Sequence, residues 1–452
     1  MANTLTTISP ELLLSIQAGT ELQTGGAGPD TLIGVPGLDR SGRGADDELQ
    51  GAEGRDHLYG DTDDQMVASA AATIIGGDDR LEGGSRNDVL YGDSGTNLDA
   101  LGPRALARGG SDLLIGGSED DRLFGDAGAR MEALTRGEVR GGDDRLDGGD
   151  GRDHLYGDAG TLIYAGFSNA VLRAGADTLN GGRNNDVLIG DAGQNMEAEG
   201  ITGSIGALVV GGADRLVGGH GRDLLIGDAG GNFVSGIGGA VRGGADILLG
   251  GEDRDTLVGD AGAGMWAGMS AELRGGDDIL NGGVGDDRLY GDAMGDVIAA
   301  GGTITAGSDT LIGGAGADIL YGDAGGRIMA TGTGVIRGGD DDLRGGDGGD
   351  TLWGGVGADI LSGGAGADRF MFAAGDGGAG TEAADVVLDF DRGSDRIGLS
   401  GHLSFDDLTL DSSADLVGDA AHDTVVRIAA TGEVLVTVQD VSTLGGSDFI
   451  LT

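Results

Sequence analysis

Apolar residues are sparse along this chain and fall at fixed places. In residues 141–174 (GGDDRLDGGDGRDHLYGDAGTLIYAGFSNAVLRA) they include Leu146, Leu155, the pair Ile163/Ala165 and Leu172, set in short runs between turns rich in glycine and aspartate. His154-Leu155-Tyr156 reads as a minimal strand whose middle side chain faces inward, since successive strand side chains alternate between faces. The arrangement recurs along most of the chain. Its most regular marker is an apolar residue two places before a small one: Met66/Ala68, Leu98/Ala100, Met131/Ala133, Ile163/Ala165, Met196/Ala198, Phe233/Ser235, Met265/Ala267, Val297/Ala299 and Ile328/Ala330, a period of about 32 residues. Self-similarity at a fixed period predicts one long solenoid rather than several domains.

Each unit divides into four short strands. The first follows a contracted turn, as Gly141-Gly142-Asp143-Asp144 precedes Leu146. The second follows a longer glycine turn, and the third carries the apolar/small pair after Gly-Asp. The fourth ends in an apolar residue, often beside arginine, as in Leu172-Arg173 and Val241-Arg242. The expectation is that these four strands make two coils of a two-sheet roll. Contracted turns would then stack with Gly-Asp turns on one edge, and the longer turns with the fourth turn on the other. The alternative, that residues 158–174 and their counterparts bulge out as loops, is disfavoured because a loop needs no apolar residue at a fixed position.

The longer turn carries the chemistry. Residues 148–156 (GGDGRDHLY) fit the nonapeptide GGxGxDxUx, with U a large apolar residue, and eight full copies occur. Paired glycines permit positive φ and close approach of chain, so the turn can aim carbonyls at one spot, and Asp153 closes it with a carboxylate. Such hard oxygens select calcium over metals that prefer nitrogen or sulfur.

Composition sharpens this reading. Net charge is −48, from 76 acidic against 28 basic residues, a surface that repels nucleic acid and anionic membranes. High charge with few aromatics is the composition of disordered chains. Here, however, the acids keep fixed places beside paired glycines. With no cysteine, disulfides and thiolate sites are excluded. No apolar run approaches the ~20 residues of a membrane span.

Residues 1–24 differ from the rest and are expected to form an N-terminal cap or interaction segment; they lack the basic leader of a secretory signal. Residues 25–371 are the solenoid. Its end, residues 345–371, is three nonapeptides in tandem, where both edges should bind calcium. Residues 372–452 lose the glycines and become a separate β region with strands expected at 384–390 and 433–438.

So many nonapeptides, in register over residues 25–371, resemble the repeats-in-toxin (RTX) family of secreted calcium-binding proteins. Residues 367–370, 385–391 and 395–397 are similar to the region after the repeats in serralysin-like proteins. The resemblance implies an all-β fold: a right-handed parallel β-roll or β-helix solenoid with multiple Ca2+ ions between turns and a small C-terminal β cap. It also implies export by type I secretion machinery with an uncleaved C-terminal signal. The nonapeptide candidates for calcium are Asp30, Asp56, Asp88, Asp121, Asp153, Asp186, Asp223, Asp255, Asp287, Asp318, Asp350, Asp359 and Asp368. The contracted-turn candidates are Asp79, Asp112, Asp144, Asp177, Asp214, Asp246, Asp278, Asp309 and Asp341, and the Gly-Asp candidates Asp158, Asp191, Asp228, Asp260, Asp292 and Asp323.

No enzyme is expected. The histidines, His57, His154, His220, His402 and His422, lie in no HExxH pattern and beside no GxSxG elbow. Asp389, Asp391 and Asp395 suit a calcium-dressed turn better than a catalytic cluster. The reading is a secreted calcium-binding structural protein, a rod for a surface layer, matrix or adhesive assembly that folds on calcium after export. Its partners would be calcium, the secretion machinery, and a second copy or a cell surface. The alternative is a non-catalytic accessory or carrier module for a separate secreted enzyme or toxin.

Overall fold

The computed structural model describes residues 22–34, 42–200, 206–377, 380–414 and 422–451. It is an all-β solenoid of four parallel sheets with 16, 14, 9 and 9 strands, the largest ending in antiparallel strands. One coil shows the plan: Arg145–Asp150, His154–Tyr156, Leu162–Gly166 and Val171–Arg173 enter sheets 1 to 4 in turn. Every strand pairs with its counterpart in the next unit, so that Leu146 lies on Leu179, Leu155 on Leu188, Ile163 on Met196 and Leu172 on Val209.

Each unit is therefore one coil and not two. The expected stacking of first strand on third fails for a physical reason. Only an offset of a whole unit sets leucine on leucine and turn on identical turn, whereas a half-unit offset would set leucine on a methionine/alanine strand and join turns of unequal length. The Gly-Asp segments are strands, as expected, but of a second lobe.

Two cores result. Sheets 1 and 2 enclose a leucine column that includes Leu146, Leu155, Leu179 and Leu188, forming a roll lobe. Sheets 3 and 4 enclose a separate core that includes Met131, Ala133, Val139, Ile163 and Ala165, forming a side lobe. Ala100, Ala133, Ala165, Ala267 and Ala299, the small members of their pairs, are fully buried here, which suits sheets lying close together. Outside sheet 2 the rings of Tyr59, Tyr91, Phe124 and Tyr156 stack at centroid distances of 4.8–5.0 Å, covering the crossover between lobes.

The end of the chain shows how the unit is built. Asp342–Gly348 pairs directly with Ile360–Gly366, and Thr351–Trp353 with Arg369–Phe372, with no third or fourth strand between. These are plain two-sheet coils. A full unit is such a coil whose return turn has been expanded to carry the side lobe. Beyond residue 371 the leucine core continues unbroken into Phe372, Val387, Leu435 and Phe449. The strands expected at 384–390 and 433–438 appear as Asp385–Val387 and Val434–Val438, and Asp423–Ile428 and Leu408–Ala414 close sheet 1 in antiparallel fashion. At the other end Leu22–Thr24 already pairs with the next coil, so the solenoid begins ahead of residue 25; the rest of the expected N-terminal segment, residues 1–21, lies outside the described residues.

Candidate metal centres

Whole-unit stacking turns the sequence-predicted aspartates into three columns parallel to the rod axis. The first runs through the nonapeptide turns: Asp30, Asp56, Asp88, Asp121, Asp153, Asp186, Asp223, Asp255, Asp287, Asp318, Asp350 and Asp368. In it the backbone N–H of Asp121 donates to Oδ1 of Asp153, and that of Asp153 to Oδ1 of Asp186, each at 2.8 Å. The second runs through the contracted turns from Asp79 to Asp341; Asp112 N–H donates to Asp144 Oδ1 and Asp144 N–H to Asp177 Oδ1, both at 2.7 Å. Asp359, although it belongs to a nonapeptide, stands in this second column, accepting from Asp341 N–H at 2.9 Å.

These carboxylates are half satisfied. Among the described residues, eleven aspartates in each of the two columns are buried with Oδ2 lacking any hydrogen-bond partner. An unpaired buried carboxylate oxygen costs several times what a hydrogen bond gains, so so regular a set calls for a ligand. The space beside it is cradle-shaped. A methyl group placed on Gly116 would sit 2.5 Å from Asp121 Oδ2 and 2.8 Å from the carbonyl oxygen of Gly148 on the next coil. On the second column Gly125 is set in the same way between Asp144 Oδ2 and the Gly157 carbonyl. No three or more His, Cys, Asp or Glu side chains converge among the described residues. A cation in these cradles would therefore take most of its oxygens from backbone carbonyls, an all-oxygen set that fits calcium.

The third column differs. Asp158, Asp191, Asp228, Asp260, Asp292 and Asp323 are buried at the waist between the lobes, and each accepts from the glycine N–H of the contracted turn that follows it in the chain. Gly175 N–H reaches both oxygens of Asp158, at 3.1 and 3.0 Å. Most of this column is thus supplied with protein donors and latches the two crossovers together; Asp260 and Asp292 keep a free Oδ2.

Sequence reasoning missed further members. Asp61, Asp93 and Asp126 belong to the third column, and the dipeptides Gly60-Asp61, Gly92-Asp93 and Gly125-Asp126 already carried the signal. Asp47 heads the second column and Asp385 continues it, while Asp395 continues the first by accepting from Asp368 N–H at 3.0 Å. Asp389 instead ties the last nonapeptide turn, accepting from Gly363 N–H, Gly364 N–H and the Ser362 hydroxyl. His57 and His154 lie on the outer face of sheet 2 beside Tyr59 and Tyr156.

Burial, and after it the neighbouring carboxylates, moves these groups upward. In the first column Asp153 rises to about 6 and Asp121, Asp186 and Asp255 to about 8. In the second, Asp79 rises to about 9 and Asp144 to about 8, with Asp112 and Asp177 well above the usual range. Without a counter-ion the columns hold protons near neutral pH.

A family model described as the RTX calcium-binding nonapeptide repeat matches ten segments: residues 41–67, 75–98, 106–129, 139–161, 172–196, 210–240, 242–264, 274–302, 305–328 and 337–370. The chain belongs to this RTX repeat family. No curated protein matches it. RTX repeats bind calcium, and their number here implies multiple Ca2+ ions. The ten matched segments span both glycine-turn types of the unit, so the family pattern covers the contracted turns as well as the nonapeptides. Among the described residues no helix is long and apolar enough to cross a membrane.

Proposed function

We propose that this RTX chain is a secreted structural rod, without catalytic activity, that folds when it meets extracellular calcium. The observation that carries the reading is the pair of buried columns, in each of which eleven aspartates among the described residues keep one carboxylate oxygen with no protein partner. Stacked one strand spacing apart, ionised carboxylates repel, and an ion that binds only the stacked form supplies folding free energy. Extracellular calcium modules bind at roughly 10⁻⁴ to 10⁻³ M, which keeps such a chain unfolded in the cytosol and folds it outside.

Several features support a structural role. The roll lobe gives one continuous core from Leu49 to Phe449, suited to stiffness. One open groove on the coil surface has a floor of glycine and alanine backbone and is rimmed by Arg173, Arg274, Asp143 and Asp277. Export through type I machinery is proposed from the repeats, and residues 372–452 would supply its signal. Circular dichroism tests the folding claim: the chain in chelator should give a disordered spectrum and regain a β spectrum on adding calcium. A full β spectrum in chelator would sink it.

A further inference from the structure

The contracted turns carry a second ladder of bonds outside the aspartate column. The residue just before each column aspartate is exposed, and its backbone N–H donates to the side chain of its counterpart one coil back. Ser111 N–H donates to Asp78 Oδ1 and Ala176 N–H to Asp143 Oδ1, both at 3.1 Å, and Ser308 N–H to Asp277 Oδ1 at 2.9 Å. Serine serves as well, Ser111 Oγ accepting from Asp143 N–H and Ser308 Oγ from Asp340 N–H. In the middle of the rod this ladder breaks. Positions 176, 213 and 245 are alanine in succession, with no side-chain acceptor to offer. The N–H groups of Ala213, Ala245 and Asp277 accordingly have no bond among the described residues. All three residues are exposed and line the groove rimmed by Arg173 and Arg274, whose volume is about 670 Å³.

Arginines stand beside these donors. Arg173, Val210, Arg242 and Arg274 are successive neighbours at the end of the sheet 4 strands. Arg274 is held by Glu272 at 2.6 Å, whereas Arg173 and Arg242, both exposed, form no ion pair among the described residues. An earlier coil shows what such an arginine does when carboxylates are present. Arg43, which bridges to Ile75 in the same sheet 4 position, donates from Nη2 to Asp46 Oδ1 at 3.1 Å and to Asp78 Oδ2 at 2.9 Å. Those two carboxylates also accept the N–H groups of Asp78 and Ser111. Arg173, Ala176 and Ala213 repeat the places of Arg43, Asp46 and Asp78 with both carboxylates deleted. A chain of net charge −48 thus has one stretch of its edge where arginine and backbone N–H groups face outward and no acid answers them.

We infer that this groove binds a polycarboxylate, a molecule that presents carboxylates in a row at about the coil spacing of ~4.8 Å. Each carboxylate takes one of the N–H groups of Ala213, Ala245 and Asp277, and the row shares Arg173 and Arg242, so every bond is charge-assisted. Carboxylate is the class named because aspartate fills the equivalent place at Asp46, Asp78 and Asp143. The site goes beyond the structural reading and needs only that the rod be folded.

Titration of glutarate, whose two carboxylates extend to about the coil spacing, into the full-length chain in excess calcium tests it, with acetate and sulfate as the other probes. Calorimetry reads the affinity, amide NMR reads the donors, and circular dichroism checks that each sample is folded. Glutarate should bind at least tenfold more tightly than acetate or sulfate. The amide protons of Ala213, Ala245 and Asp277 should shift downfield, while those of Ser111 and Ala176, already bonded within the chain, stay in place. Ala213→Asp rebuilds the acceptor for Ala245 N–H, as Asp78 serves Ser111, and keeps a residue type that neighbouring turns carry. It should weaken glutarate at least tenfold, and Arg173→Gln several-fold. A folded chain that does not bind glutarate, sulfate or acetate binding as tightly, amide shifts confined to other residues, or affinity unchanged in Ala213→Asp would each overturn the proposal.

Discussion

Replacing Asp144 by Asn should act in opposite directions with and without calcium. Asn keeps an oxygen to accept the Asp112 N–H, the bond that Oδ1 now makes at 2.7 Å, and removes the charge whose other oxygen has no partner. Column neighbours lie one strand spacing apart, ~4.8 Å, so two ionised carboxylates repel by roughly 3.5 kcal/mol at an effective dielectric constant of about 20. Asp144, pushed up to about 8 by burial, is mostly protonated at neutral pH, so much of what the substitution relieves is the cost of taking up that proton on folding. A stabilisation of about 1–3 kcal/mol of the calcium-free fold remains. In calcium the same change removes a charged ligand and should raise the calcium midpoint by roughly tenfold, about 1.4 kcal/mol. The assay is circular dichroism in two series: sucrose-driven folding in chelator, and calcium titration without sucrose. The variant should fold at lower sucrose yet need more calcium. A shift of the same sign in both series would refute the reasoning, because it would mean that the Asp144 carboxylate is a structural acceptor and not an ion ligand.

Gly116→Ala puts a methyl group 2.5 Å from Asp121 Oδ2 and 2.8 Å from the Gly148 carbonyl oxygen, closer than van der Waals contact allows, so both its calcium midpoint and its sucrose midpoint should rise. Asp153→Asn should weaken calcium binding more than Asp158→Asn, whose parent already accepts two bonds from Gly175 N–H; equal losses in calcium titrations would mean that the third column also holds ions. In chelator, acid should favour the fold. The folded carboxyls Asp153 and Asp121 sit at about 6 and about 8 against an unfolded value near 3.9, so stability is fully present below about pH 4 and is lost as pH rises through the range 6 to 8. Sucrose midpoints measured across that range should climb with pH, and a falling midpoint would contradict the assigned burial.

The sequence carried the local chemistry better than the topology. A single inward leucine such as Leu155, a turn closed by Asp153 and the apolar/small pair Ile163/Ala165 are local statements, and each reappears unchanged in the fold. Which strand lies on which is not local. Both an 18-residue and a 32-residue step place turn on turn, and the chain uses both, the shorter at Asp350 to Asp368 and the longer at Asp121 to Asp153. The choice is made by the fourteen or so residues of the return turn, whose apolar residues can only be buried if they build a lobe of their own. The same ambiguity hid the different standing of the aspartates: Asp144 and Asp158 both close short glycine turns in the sequence, yet one keeps a bare oxygen and the other latches the waist.

The number of calcium ions bound per folded chain tests the central claim most directly. The bare oxygens, eleven in each of two columns, predict that chain dialysed against millimolar calcium and analysed by atomic emission holds roughly twenty ions, all lost on unfolding in chelator. A folded chain holding none or only a few would contradict the account.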